Sequence, residues 1–149
     1  MSPLFLLVPV AVGIAAVLQG GLNRQISSSW GLAGAALLNC LVVTTCALLC
    51  FVAVRAFPQY FPEIFRWKPA ERPSWWYLVP GTLGFFLVIG VPFAIQRIGA
   101  LRVFLIVFVS QTAAALVWDL VVEKIPLGAG RIVGTLLALA GTILVSLQR

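Results

Sequence analysis

Five stretches of about twenty apolar residues, parted by short polar turns, constrain this chain more than any other feature of its sequence. A helix needs about 20 such residues to cross the hydrocarbon core of a bilayer. The stretches run at about 3–22, 32–54, 76–95, 101–122 and 129–147. None alternates with the period of two that a membrane β-barrel requires. Only 9% of the residues are charged and 62% are apolar, whereas a water-soluble domain carries about 25% charged residues. Disorder is excluded on the same ground, because it needs low hydrophobicity and high charge. The expected fold is an all-α integral membrane protein: one transmembrane domain over residues 1–149, a bundle of five helices with the lipid bilayer as solvent.

The first stretch resembles a signal peptide only at first sight. No Lys or Arg precedes it, its apolar run is too long and no small-residue cleavage site follows, so it reads as a retained helix. Pro3 suits its start, and Pro9 lies inside it. Ser27-Ser28-Ser29 reads as a polar turn, with Trp30 as an interface anchor. The longest connection, 56–74, holds Pro58, Pro62, Pro69 and Pro73, together with Phe57, Tyr60, Phe61, Phe65 and Trp67. That composition predicts a segment lying at headgroup depth, followed by the aromatic belt Trp75-Trp76-Tyr77. The turns at 96–100 and 123–128 are short enough to force antiparallel hairpins.

An odd number of spans puts the two termini on opposite faces. The face of the N-terminus then holds Arg55, Arg66, Lys68, Arg72, Lys124 and Arg131; the other holds Arg24, Arg97, Arg102 and Arg149. The bias favours an N-terminus inside the cell. It is weak enough to leave room for copies inserted in both orientations.

Several function classes lack their parts. With no His in the chain, the commonest metal ligand and the commonest general base are missing. Cys40, Cys46 and Cys50 lie in one apolar run without carboxylates nearby, which suits packing rather than a metal or a disulfide framework. No nucleophile–base pair is visible, so an enzyme is not expected, and neither is a metal or cofactor. The basic residues sit singly at the ends of spans and form no nucleic-acid stripe.

Polar residues inside the spans are the candidate functional groups. Gln19 and Asn23 are four apart and share a helix face beside Gly20 and Gly21. Either they line a cavity that takes a solute, or they make a helix–helix hydrogen bond. Asn39 in the second span should face the protein interior. Gln111, Trp118 and Asp119 lie in the fourth. Asp119 is the one carboxylate within a span. It could exchange a proton or bind a cation, with Trp118 as an aromatic wall, or pair with Arg131 or Lys124 as structure. Gly130, Gly134 and Ala138 recur at spacing four, with Gly141 on a nearby row. This is a small-residue seam for close contact within one chain or between chains.

The stretch Glu123-Lys124-Ile125-Pro126, followed by Arg131-Ile132-Val133-Gly134-Thr135-Leu136-Leu137 and Ala140-Gly141-Thr142-Ile143-Leu144, resembles the last hairpin of the drug/metabolite transporter superfamily. The five-helix length points to its short YdcZ-type family. The likeness extends to Gln19 with Asn23, to Pro73 before Trp75-Trp76, and to Gln111 with Asp119. Two positions depart from the pattern: Ser110 stands where a glycine is usual, and Leu120-Val121-Val122 lacks the glycine that usually follows the aspartate. The resemblance implies a multi-pass protein of the bacterial inner membrane, assembled as an antiparallel homodimer or with a paired homologue. Two opposed copies would complete the inverted repeat that alternating access commonly uses. The expected function is secondary transport of a small organic solute, as exporter or exchanger, with Gln19, Asn23, Asn39, Gln111 and Trp118 at the substrate. The alternative is a non-transporting membrane subunit that stabilises or regulates a partner.

Overall fold

In lipid a backbone must satisfy its own polar groups, either within each segment or in a closed barrel. The computed structural model describes residues 4–66, 68, 74–126 and 128–147, and among them the chain forms helices and no strand. The helices are α1 (Leu4–Ala56), α2 (Val79–Ile98), α3 (Ala100–Val121) and α4 (Ala129–Leu147). Short 3-10 turns at Pro58–Tyr60, Glu63–Phe65 and Trp75–Leu78 lie between α1 and α2. Pro3, Trp67, Pro69, Arg72, Pro73 and Arg149 lie outside the described residues.

Helix α1 is not one rod. Its 53 residues would span about 80 Å if straight, well over twice the ~30 Å of a hydrocarbon core. Gly31 breaks it, with φ 73° and ψ 162°, a region of backbone space open essentially to glycine alone. Arms 4–30 and 32–56 result, and residues 19–30 fold back on the second arm. In a straight helix Gln19 and Asn39 would sit about 30 Å apart; their side-chain amides approach to 3.5 Å. Gly31 is midway in sequence between Asn23 and Asn39, whose amides are 3.4 Å apart. Gly20, Ala35 and Ala36 are buried near this reversal, and such small residues let helix backbones come close.

The polar turn expected at Ser27-Ser28-Ser29 is helical instead, and the reversal falls at Gly31. The Ser27 hydroxyl donates to the Arg24 carbonyl at 2.7 Å and the Ser28 hydroxyl to the Gln25 carbonyl at 2.6 Å. With their hydroxyls satisfied on the preceding turn, these serines need no loop.

Gly99 repeats the device. Its φ of 82° and ψ of 156° match those of Gly31 closely. Its N–H donates to the Ile95 carbonyl at 3.0 Å, and its own carbonyl accepts the Val103 N–H at 3.2 Å. One residue thus ends α2 and opens α3.

The chain forms two compact units: Gln19–Phe93, and the residues through Leu18 joined with those from Ala94 onward. In the second, α3 packs on α4. Neither has the core of a water-soluble domain. Among the described residues the buried apolar side chains are few: Ala35, Ala36, Val54 and Pro92 in one unit, Ile95 and Val103 in the other. Large side chains such as Leu41, Phe86 and Leu137 point outward. Exposing each to water would forfeit about 1.5–3 kcal/mol, whereas lipid tails are as apolar as leucine. Stretches in α1, in Trp75–Ile98 and in α3 are long and apolar enough to cross a membrane, and the apolar part of α4, Ala129–Val145, is shorter.

Candidate functional site

The fold-back at Gly31 assembles three neutral amides. Helical spacing puts Gln19 and Asn23 on one face of the first arm, and Asn39 meets both from the second. Asn39 is the centre: its Nδ2 donates to Asn23 Oδ1 at 3.4 Å, and its Oδ1 accepts from Gln19 Nε2 at 3.5 Å. Asn23 is 6% exposed, Asn39 is half-buried and Gln19 is exposed, so the cluster grades from the interior outward. Both bonds lie at the long end of the usual range, where the attraction is weak. Each amide carries two N–H donors and a carbonyl with two lone pairs. Two mutual bonds leave most of that capacity unused. The arrangement offers donors and acceptors side by side without a formal charge, which suits binding a polar solute and not proton chemistry.

A second polar cluster ties α3 to α4. The end of α3 unwinds through widening turns: the Trp118 carbonyl accepts the N–H groups of Val122 (2.8 Å) and Glu123 (3.3 Å), and the Asp119 carbonyl accepts that of Ile125 (2.8 Å). Lys124 adopts a left-handed conformation, φ 57°, to make this turn. The Trp118 indole N–H donates to Glu123 Oε1 at 3.4 Å. Arg131 Nη1 donates to Asp119 Oδ2 at 3.0 Å, with the side chains 46% and 34% exposed respectively. Arg131 occupies the first turn of α4, where the helix dipole disfavours a cation. The Asp119 carboxylate offsets that repulsion and clamps the hairpin at the same time.

Gln111 stands about two turns before Asp119 on α3 and is exposed. Its side chain makes no hydrogen bond to the described residues, and it is not drawn into the Asp119 cluster. Trp118, also considered as an aromatic wall, is exposed and spends its N–H on Glu123. That contact has no helix-face spacing to betray it in the sequence, since it arises only where the helix unwinds. On α4, Gly130, Gly134 and Gly141 are exposed and Ala138 is half-buried. A methyl group added at any of the three glycines would meet nothing within 4 Å.

The ion pair yields a measurable expectation. In a double-mutant cycle in detergent, Asp119→Asn and Arg131→Gln should each lower stability by about 0.2–1 kcal/mol, the range for an exposed pair. The double variant should lose little more than either single one. Additive losses would show that the two side chains act independently.

Residues 4–144 match the protein family described as "Putative inner membrane exporter, YdcZ". The Escherichia coli (strain K12) protein "Inner membrane protein YdcZ" is 32% identical over 141 residues, covering 92% of this chain and 91% of that protein. No solved structure matches the chain.

Proposed function

The chain belongs to the YdcZ family, and from that premise we propose that it is a secondary transporter carrying a small organic solute across the membrane as an antiparallel dimer. It is a multi-pass protein of the inner membrane. The observation that carries the transport reading is the Gln19–Asn39–Asn23 amide chain. An amide at membrane depth must find a partner, and these three find one another through long bonds that a solute's own polar groups can replace. The solute exchanges with weak contacts rather than breaking strong ones, so it is held firmly enough to enter and loosely enough to leave.

The antiparallel assembly is supported by two features. In this reading the two arms about Gly31 are separate spans and the chain has five, so a single copy is lopsided and an inverted second copy restores the symmetry that alternating access uses. The glycines at 130, 134 and 141 present open small-residue surface of the kind that another helix packs against. In this reading Asp119 and Arg131 hold the α3–α4 hairpin, and Asp119 is the group through which a proton gradient would act. Gln111 and Trp118 are further candidate solute contacts.

The test is a thermal-shift screen of the purified full chain against neutral metabolites, organic anions and cationic drugs, because a ligand that binds the folded state raises its apparent stability. Compounds that stabilise the protein are then assayed for flux in proteoliposomes. Transport of at least one is the expected result, with proton-driven uptake reduced by Asp119→Asn. Co-purification with a different protein and no flux of any stabilising compound would overturn the proposal in favour of a regulatory subunit.

A further inference from the structure

We propose that the connection between α1 and α2 holds a phospholipid headgroup in a site built from Glu63, Ile64, Arg66 and Lys68. These four residues line an open pocket of about 420 Å³, within the range of small-ligand clefts. The pocket is independent of the amide cluster and of the transport reading.

The backbone there is shaped rather than slack. Pro58 and Pro62 fix φ at two positions. The Phe65 N–H bonds the Pro62 carbonyl and the Arg66 N–H bonds the Glu63 carbonyl, both at 3.0 Å. Glu63 opens the resulting 3-10 turn, Arg66 caps it and Lys68 stands two residues further on, so two cations and one carboxylate line a single opening. Among the described residues neither Arg66 nor Lys68 is in an ion pair. An arginine fork and a lysine ammonium together suit a phosphate diester. The Glu63 carboxylate can accept only a donor, which calls for a headgroup hydroxyl or ammonium hydrogen.

The apolar surroundings say where that phosphate comes from. Ile64 is 89% exposed, and Phe57, Tyr60 and Phe65 are exposed with it. Trp75 and Trp76, also exposed, follow at the entry to the next span. Such a patch beside a membrane-crossing helix marks a membrane contact rather than a water-facing loop. The occupant is therefore a glycerophospholipid: its phosphate on Arg66 and Lys68, its headgroup donor on Glu63 and its acyl chains along Ile64. Phosphatidylglycerol and phosphatidylethanolamine carry such a donor. Phosphatidylcholine has the same phosphate and no donor.

The experiment is native mass spectrometry of the full chain released from vesicles of mixed composition. Wild-type protein is expected to retain phosphatidylglycerol and phosphatidylethanolamine over phosphatidylcholine. Arg66→Gln/Lys68→Gln should lower retention by about tenfold or more, since each cation at a membrane surface contributes about one decade of attraction or somewhat less. Lys124→Gln, which removes a cation from a different turn, should change it by less than about twofold. The charge-preserving Arg66→Lys/Lys68→Arg variant should keep most of the bound lipid. Equal loss in that variant would mean the substitutions damage the turn and would overturn the proposal, as would unchanged retention in the glutamine variant. A thermal shift produced by millimolar inorganic phosphate alone, matching that of phosphatidylglycerol, would assign the site to a soluble phosphate and overturn it as well.

Discussion

Replacing Asn39 with leucine is expected to abolish most solute flux and to destabilise the protein together. Leucine has the same number of side-chain heavy atoms with the same branching, but it removes the donor to Asn23 and the acceptor for Gln19 at one stroke. The Asn23 carbonyl is then left in a site that is 6% exposed, and a buried acceptor without a partner costs about 1–3 kcal/mol. Flux of a solute identified by thermal shift should fall about tenfold or more, the equivalent of roughly 1.4 kcal/mol or above. Gln19→Leu separates the two effects. Gln19 is exposed and its loss leaves the Asn39–Asn23 bond in place, so stability should change by less than about 0.5 kcal/mol while flux still falls. If Gln19→Leu transports normally and Asn39→Leu fails only as far as it unfolds, the cluster is a fastening between arms and not a solute site.

The second large effect concerns Gly31. Valine there must adopt φ near 73°, which costs about 1–3 kcal/mol for any residue with a Cβ and more for a β-branched one. No neighbouring atom lies within 4 Å of an added Cβ, so the backbone conformation sets the penalty that any Cβ incurs there. Gly21→Ala is the matched control. Gly21 is helical, and its added methyl also meets nothing within 4 Å; there alanine should be neutral or stabilising by up to about 1 kcal/mol. Unfolding in detergent monitored by far-ultraviolet circular dichroism distinguishes the two. A Gly31→Val variant as stable as the parent would show that the chain can reverse elsewhere, most simply at Ser27–Ser29.

Those two residues also mark how far the sequence can be read unaided. Gln19 and Asn23 were legible as a pair because helical spacing is local, and Asn39 was legible as inward-facing because an amide has no easy partner in lipid. Their convergence was not, since it depends on where the chain reverses. Three serines look like a turn, yet Ser27 and Ser28 bond their own helix and the reversal passes to the glycine that follows them by two. A glycine at the end of a helix is a recognised stop signal, and it was available at both Gly31 and Gly99. Of the two structural partners weighed for Asp119, Arg131 is the one within ion-pair distance, reached after the chain unwinds beyond Trp118 and Asp119. The contact of Trp118 with Glu123 lay beyond reach for a different reason: periodicity describes regular helix, and that contact exists only where regular helix stops.

The span of chain between the two asparagines has a bearing on how the protein is made. Asn23 precedes its partner by 16 residues, so at a synthesis rate of about 5–20 residues per second it waits roughly one to three seconds on the ribosome before Asn39 exists. An amide that enters lipid without its partner carries a penalty there. Joint entry of both arms into the bilayer would spare Asn23 that penalty, so the reversal at Gly31 bears on insertion as well as on the folded state.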